Sequence, residues 1–257
     1  MFLQSLLICS IVIFFFVTGF YILALKLKNN SVADIAWGLG IMIIAITTLL
    51  ANGSSSPRQL LITALVVFWG VRLATHIYMR NKGKHEDFRY KQWREQWGSK
   101  WKVKSYVYVF LLQGALMLLV SFPVIYTNSY SVGAHGVFDR MGTLLWIVGF
   151  YFETVGDSQL MKFKSKSSNK GKIMTSGLWK YTRHPNYFGE SAMWWGIYII
   201  TLSNLNAWWT IVGPLFITYS LLKVSGVTLL EKKYFGNKEY LQYQKNTSAF
   251  IPWFSKK

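Results

Sequence analysis

Cysteine occurs once in these 257 residues, as Cys9, so neither a disulfide framework nor a thiolate metal centre can be built from the chain. The four histidines, His76, His85, His135 and His184, form no His-x-x-x-His or His-Glu-x-x-His pair. Metal chemistry therefore has little support, a membrane hydroxylase or desaturase is excluded, and no metal is expected. No Gly-x-Gly-x-x-Gly or phosphate-loop pattern is present, which removes the soluble dinucleotide and nucleotide folds. The absence of a Gly-x-Ser-x-Gly elbow argues against a serine hydrolase. Acid is scarce as well: ten Asp and Glu face 28 Lys and Arg, for a net charge of +18.

What the chain has in abundance is apolar residues in long runs. Hydrophobic residues make up 52% and aromatics 18%, beyond the usage of a soluble domain, and mean hydropathy is +0.26. The runs are 2–25, 32–51, 59–79, 105–126, 141–161, 186–203 and 207–230. Each is near the roughly 20 residues that carry a helix across a hydrocarbon core of about 30 Å. None shows the two-residue alternation of barrel strands, so lipid-buried backbone must pair within helices. The expectation is an all-α integral membrane protein of seven transmembrane helices forming a single domain over residues 1–257. The first run is too long for a signal-peptide core and lacks a basic start, so it is read as a span, with Cys9 packed inside it.

Charge is distributed by loop. Nine Lys and Arg follow the third run, seven follow the fifth and six lie in the tail, whereas the loops between are nearly bare. The positive-inside rule then places the amino terminus outside or in a lumen and the carboxyl terminus in the cytoplasm, in a bacterial inner membrane or the endoplasmic reticulum. A basic excess spread in this way speaks against nucleic acid and for contact with anionic lipid. In that topology Asp34, Arg72, His76, Glu153, Asp157, Glu190 and Lys223 all fall in the cytoplasmic half of their spans. Intramembrane charges face one another or a cavity, so a polar cavity open to the cytoplasm is expected. Structural ion pairs such as Asp34 with Arg72 are the plainer reading of the same charges.

The densest polar cluster is Gly177 to Glu190, running through Arg183, His184, Pro185 and Asn186 directly into an apolar segment. Glu153 and Asp157 share a helix face, with Lys164 further along it. The loop 162–172 holds Lys162, Lys164, Lys166, Lys170 and Lys172 without an acid, which suits either a solvated or lipid-facing run or a phosphate clamp. The third loop carries Glu86, Asp87, Arg89 and Tyr90, followed by Trp93, Trp97 and Trp101 at the spacing of an interfacial helix.

Several pieces in order, Asp34 to Gly38, Trp69 to Leu73, Glu86 to Tyr90, Gly156 to Gln159, Gly177 to Glu190, Trp194 to Gly196, Ser225-Gly226 and Tyr240 to Pro252, resemble the uncharacterised membrane branch (DUF1295-like) of the steroid 5-alpha-reductase superfamily. The resemblance implies an NADPH-dependent reductase that saturates a carbon–carbon double bond conjugated to a carbonyl in a lipid-soluble, steroid-like or isoprenoid substrate. It implies a cofactor site mainly from residues 150–257, with Asp157, Lys164, Asn186, Glu190 and Trp194 on the nucleotide. Arg72, Arg89, Tyr90, Arg183 and His184 join that set, the last two facing phosphates. The Gln-Glu pair of the steroid enzymes has no copy here, and Trp69 stands where they have a tyrosine.

Reduction of an enone builds negative charge on the carbonyl oxygen and then requires a proton at the α-carbon. A buried carboxylic acid or a tyrosine can supply both donors, and Asp34 and Tyr187 are the catalytic candidates. The Arg-His-Pro-x-Tyr motif is shared with membrane methyltransferases. An S-adenosylmethionine-dependent methyltransferase of the isoprenylcysteine or phospholipid type is therefore the alternative, and a lipid-binding or transport protein is a third class. Five lysines ahead of Gly177 favour a cofactor with several phosphates, which S-adenosylmethionine lacks.

Overall fold

The computed structural model describes residues 1–53, 56–130, 133–224, 226–232 and 234–255. Ser225 of the Ser-Gly motif and Lys233, Lys256 and Lys257 of the basic tail lie outside the described residues. All regular structure among the described residues is helical: α1 Phe2–Leu27, α2 Val32–Ala51, α3 Pro57–Asn81, α4 Phe88–Trp97 and α5 Trp101–Ser105 open the chain. A π-helical Tyr106–Leu111 leads into α6 Leu112–Val120, and α7 Phe122–Tyr130, α8 Val137–Ser165 and α9 Pro185–Thr201 follow. The chain closes with α10 Val212–Tyr219, α11 Val227–Lys232 and α12 Lys238–Asn246.

Five helical runs are long and apolar enough to cross a membrane: Phe2–Leu27, Val32–Ala51, Pro57–Asn81, Phe88–Val120 and Leu205–Lys232. The seven expected from the sequence are thus five by this measure. The run expected at 105–126 begins earlier, at Phe88, and breaks at Ser121 ahead of Pro123. The runs at 141–161 and 186–203 correspond to α8 and α9, which do not meet it. α9 has 17 residues, about 26 Å at 1.5 Å per residue, and α8 carries Asp139, Arg140, Glu153, Asp157, Lys162 and Lys164.

The chain divides into two compact units, Met1–Gly136 with Asn204–Thr210, and Val137–Ser203 with Ile211–Lys257. In the first, α1, α2 and α3 pack around Ile13, Ile41, Ile44, Ile62 and Trp69. Close approach of α2 to α3 depends on Gly38 and Gly70: a methyl at Gly70 would come within 2.6 Å of the Gly38 carbonyl oxygen. α3 starts with Pro57 behind a capping box, in which the Ser56 side chain accepts from the Gln59 amide and the Gln59 side chain accepts from the Ser56 amide. Trp209 returns to this unit and meets Phe2 at 5.0 Å and Phe122 at 5.6 Å between ring centroids.

The second unit is built on the antiparallel pair α8 and α9. Glycines recur every seven residues on both, Gly142, Gly149 and Gly156 against Gly196 and Gly189. A methyl at Gly149 would lie 2.5 Å from the Gly189 carbonyl oxygen, and one at Gly196 would lie 2.5 Å from that of Gly142. Two turns separate successive glycines, so one bare stripe per helix lets the backbones touch along their length. At the end of this stripe Gly156 sits under Pro185 and Asn186, which sets the Arg-His-Pro motif against the charged end of α8.

Candidate functional site

Pro185 is the first residue of α9, where its missing N–H costs nothing, and His184 is the residue just before it. Asn186 then projects one turn before Glu190 and two before Trp194. The latter two are buried on the inner face of the helix. Asn186 donates through Nδ2 to Asp157 Oδ1 of α8 at 3.1 Å. Its Oδ1 is buried without a hydrogen-bond partner. A buried carbonyl left in that state is costly, and it is an acceptor ready for an N–H from a ligand. Glu153, one turn before Asp157, is buried beside it, as the shared face required. Lys164 lies at the exposed end of α8.

Arg183 and His184 converge on Glu231 of α11, a residue that the sequence reading missed. Arg183 donates through Nε to Glu231 Oε1 at 2.8 Å, and His184 Nε2 lies 3.2 Å from the same oxygen. Gln244 of α12 donates to Glu231 Oε2 at 2.8 Å. The other end of the Arg183 guanidinium donates to the carbonyls of Gln244 at 3.1 Å and Thr247 at 2.6 Å. A carboxylate at Nε2 favours a proton there, and in the neutral ring Nδ1 is then an acceptor. Nδ1 is buried and has no hydrogen-bond partner. The Tyr187 ring stacks on His184 at 5.4 Å, with the planes 11° apart. Tyr243 of α12 donates to the Trp179 carbonyl, and Trp179 Nε1 donates to the Gly156 carbonyl at 3.1 Å, so the loop before Arg183 is tied on both sides. Burial raises the Tyr243 phenol above its ordinary range and keeps it a donor.

The remaining sequence candidates belong to the first unit. Asp34 accepts from the Tyr90 hydroxyl at 2.6 Å and from Arg89 at 3.1 Å, with Arg80 at 3.7 Å. Asp34 thus pairs with Arg89 and Arg80, and Arg72 lies half-buried on α3. Arg89 is held from its other side by Asp87, at 2.9 Å. Burial presses the Asp87 carboxyl upward, but the Arg89 bonds outweigh it and hold the group below the usual carboxylate range. Glu86 accepts from the Asn30 amide at 2.6 Å and from Arg94 at 2.7 Å. The Glu-Asp-x-Arg-Tyr cluster therefore fastens the α1–α2 turn to α4. Beyond it Trp93 and Trp97 stack at 5.8 Å, and Arg94 lies over Trp101 at 4.1 Å.

A helical membrane protein with this Arg-His-Pro helix start set against Asp157 of the preceding helix defines the class. The chain belongs to the family described as a protein of unknown function (DUF1295), whose pattern matches residues 20–247. It is 28% identical over 112 residues to steroid 5-alpha-reductase DET2 of Gossypium hirsutum, covering 44% of this chain and 41% of the relative. An uncharacterised protein of Schizosaccharomyces pombe is 27% identical, with 88% of this chain and 73% of the relative covered. The protein-S-isoprenylcysteine O-methyltransferase of Saccharomyces cerevisiae is 28% identical over 162 residues, 58% of this chain and 64% of the relative. The chain thus spans about two fifths of the length of the cotton reductase. No solved structure matches.

Proposed function

We propose that this chain is an NADPH-dependent reductase of a conjugated carbon–carbon double bond in a lipophilic substrate, with its nucleotide site in the second unit and open to the cytoplasm. The observation that carries the reading is the pair of buried polar atoms without a partner, Asn186 Oδ1 and His184 Nδ1, at the start of α9, and both are acceptors when the imidazole is neutral. Both suit the amide, amine and hydroxyl donors of a nicotinamide dinucleotide, so the residues present fit the cofactor. Asp157 fixes the Asn186 amide in place. Glu190 and Trp194 extend the same helix face, Arg183 and Lys164 serve the phosphates, and His184 joins the cofactor set through Nδ1. Similarity to the plant steroid 5-alpha-reductases supports the reaction class.

Bound NADPH supplies the hydride. The chain's own residues must exclude water, steady the negative charge that grows on the carbonyl oxygen and deliver a proton. Tyr187, held flat by His184, and Asp34 remain the proposed sources of that proton. Asp34 accepts from a phenol and from guanidinium groups, so it acts through the Tyr90 hydroxyl that it holds. Arg89 and Tyr90 then belong with Asp34 in the first unit more than with the cofactor residues of the second. Single-turnover oxidation of NADPH with an enone tests the assignment. Tyr90→Phe and Asp34→Asn should each slow the step about 100-fold with cofactor affinity nearly unchanged. Wild-type rates in both would move the role to Tyr187.

The methyltransferase reading is kept by one observation, the match to 64% of the yeast isoprenylcysteine enzyme. An adenine amine would satisfy Asn186 Oδ1 equally well. Binding of S-adenosylmethionine, with none of NADPH, would establish it.

A further inference from the structure

After α12 the chain leaves the helix at Thr247 in an extended conformation and runs back along the Arg-His-Pro loop. Four backbone or side-chain bonds pin it there, and a fifth ties its end back to α12. Thr182 and Ser248 form a parallel bridge in which the Arg183 amide donates to the Ser248 carbonyl at 2.9 Å. The Thr182 hydroxyl donates to the Phe250 carbonyl at 2.8 Å, and the Trp253 amide donates to the Tyr181 carbonyl at 2.9 Å. The Arg183 side chain reaches the Thr247 carbonyl at 2.6 Å, and the Ser255 hydroxyl reaches that of Asn246 at 3.1 Å.

The backbone of this strap is fixed and Phe250 turns inward beside Phe188, yet three large apolar side chains further along point away from the protein. Ile251 is 63% exposed, Trp253 69% and Phe254 79%, and the half-exposed Tyr181 ring lies 6.4 Å from that of Phe254. The sequence around them is basic. Lys180 and Lys245 are exposed nearby along the chain, Lys256 and Lys257 follow Ser255 directly, and no acid occurs after Glu239. Apolar aromatics rimmed by lysines match the boundary of an anionic bilayer, where rings bury their bodies among acyl chains and ammonium groups meet phosphates.

We propose that the strap Thr247–Ser255 is a membrane-interface anchor that seats Ile251, Trp253 and Phe254 in the headgroup boundary of anionic lipid. Because the strap is already ordered by its bonds to residues 181–183, seating it costs little conformational freedom. The same bonds carry the seating to Arg183 and His184. The lipid surface thereby becomes part of what holds the start of α9. This role holds whichever cofactor the second unit binds.

The single native cysteine makes the test direct, since Cys9 is fully buried. Phe254→Cys and, as a reference, Glu239→Cys on the exposed polar face of α12 are spin-labelled with Cys9 replaced by alanine. Should that background fold poorly, the labelling is done with Cys9 retained. Collision with oxygen and with an aqueous nickel chelate is then measured in nanodiscs containing about one third phosphatidylglycerol. The label at 254 should show at least a threefold lower nickel-to-oxygen ratio than the label at 239, and this protection should weaken in discs of phosphatidylcholine alone. Equal ratios at the two positions would overturn the proposal. Protection that ignores lipid charge would overturn the anionic-lipid assignment. Protection in detergent that rises with protein concentration would give the face to a second copy of the chain and overturn it equally.

Discussion

Glu231 takes hydrogen bonds from Arg183 and Gln244 and lies within 3.2 Å of His184, although its side chain is only 16% exposed. Removing one partner from so enclosed an ion pair leaves the other charge without compensation, and such losses cost about 3 kcal/mol. Glu231→Gln should therefore lower stability by roughly that amount in detergent, read by thermal unfolding. It should also weaken cofactor binding, because His184 loses the group that fixes its ring. A full-strength site in a destabilised protein would limit Glu231 to a structural role. The other residues at this site were legible in the sequence for a simple reason. Asn186, Glu190 and Trp194 repeat at four-residue spacing on one helix, and Asp157 follows Glu153 at the same interval. Glu231 was not, since its partners Arg183 and His184 are 48 and 47 positions away and its only signal is to be the lone acid at the end of an apolar run.

The pairing of α8 with α9 positions these residues at the level of elements, and glycine makes the pairing possible. Gly149→Ala should destabilise the protein by about 1–3 kcal/mol, because the new methyl would meet the Gly189 carbonyl 2.5 Å away. Gly19→Ala on α1 is the control. Nothing lies within 4 Å of its built methyl, and removing a mid-helix glycine should stabilise by about 0.5–1 kcal/mol. Thermal unfolding of the two variants decides the matter, and a tolerated Gly149→Ala would mean that the helices lie further apart. Hydropathy located the helices because apolar runs of 20 residues have few other uses in lipid. The span expected from 105 and the interfacial helix expected from Trp93, Trp97 and Trp101 are joined into one helical run from Phe88 to Val120, and the charges of α4 and α5 had set them apart in the hydropathy. In α8 the charges, and in α9 the length, separate them from the five long apolar helices.

At the scale of the whole molecule, the basic loops set the expected orientation. A reporter enzyme fused at the carboxyl terminus should read cytoplasmic, and one inserted at Gly133–Gly136 should read external or lumenal. The reverse readings would place the Arg-His-Pro site on the other face, away from cytoplasmic nucleotide. Family membership covers residues 20–247, whereas the plant reductases match less than half of the chain, so the reaction rests on the site itself. The most direct test is therefore ligand-dependent thermal stability of the purified protein with NADPH, NADH and S-adenosylmethionine, in wild type and in Asn186→Ala. NADPH at about 100 times its Kd should add about 2.7 kcal/mol to wild type, NADH and S-adenosylmethionine far less, and Asn186→Ala should lose most of the gain. Stabilisation by S-adenosylmethionine alone, or an NADPH effect indifferent to Asn186, would contradict the assignment of α9 as the nucleotide-binding helix of a reductase.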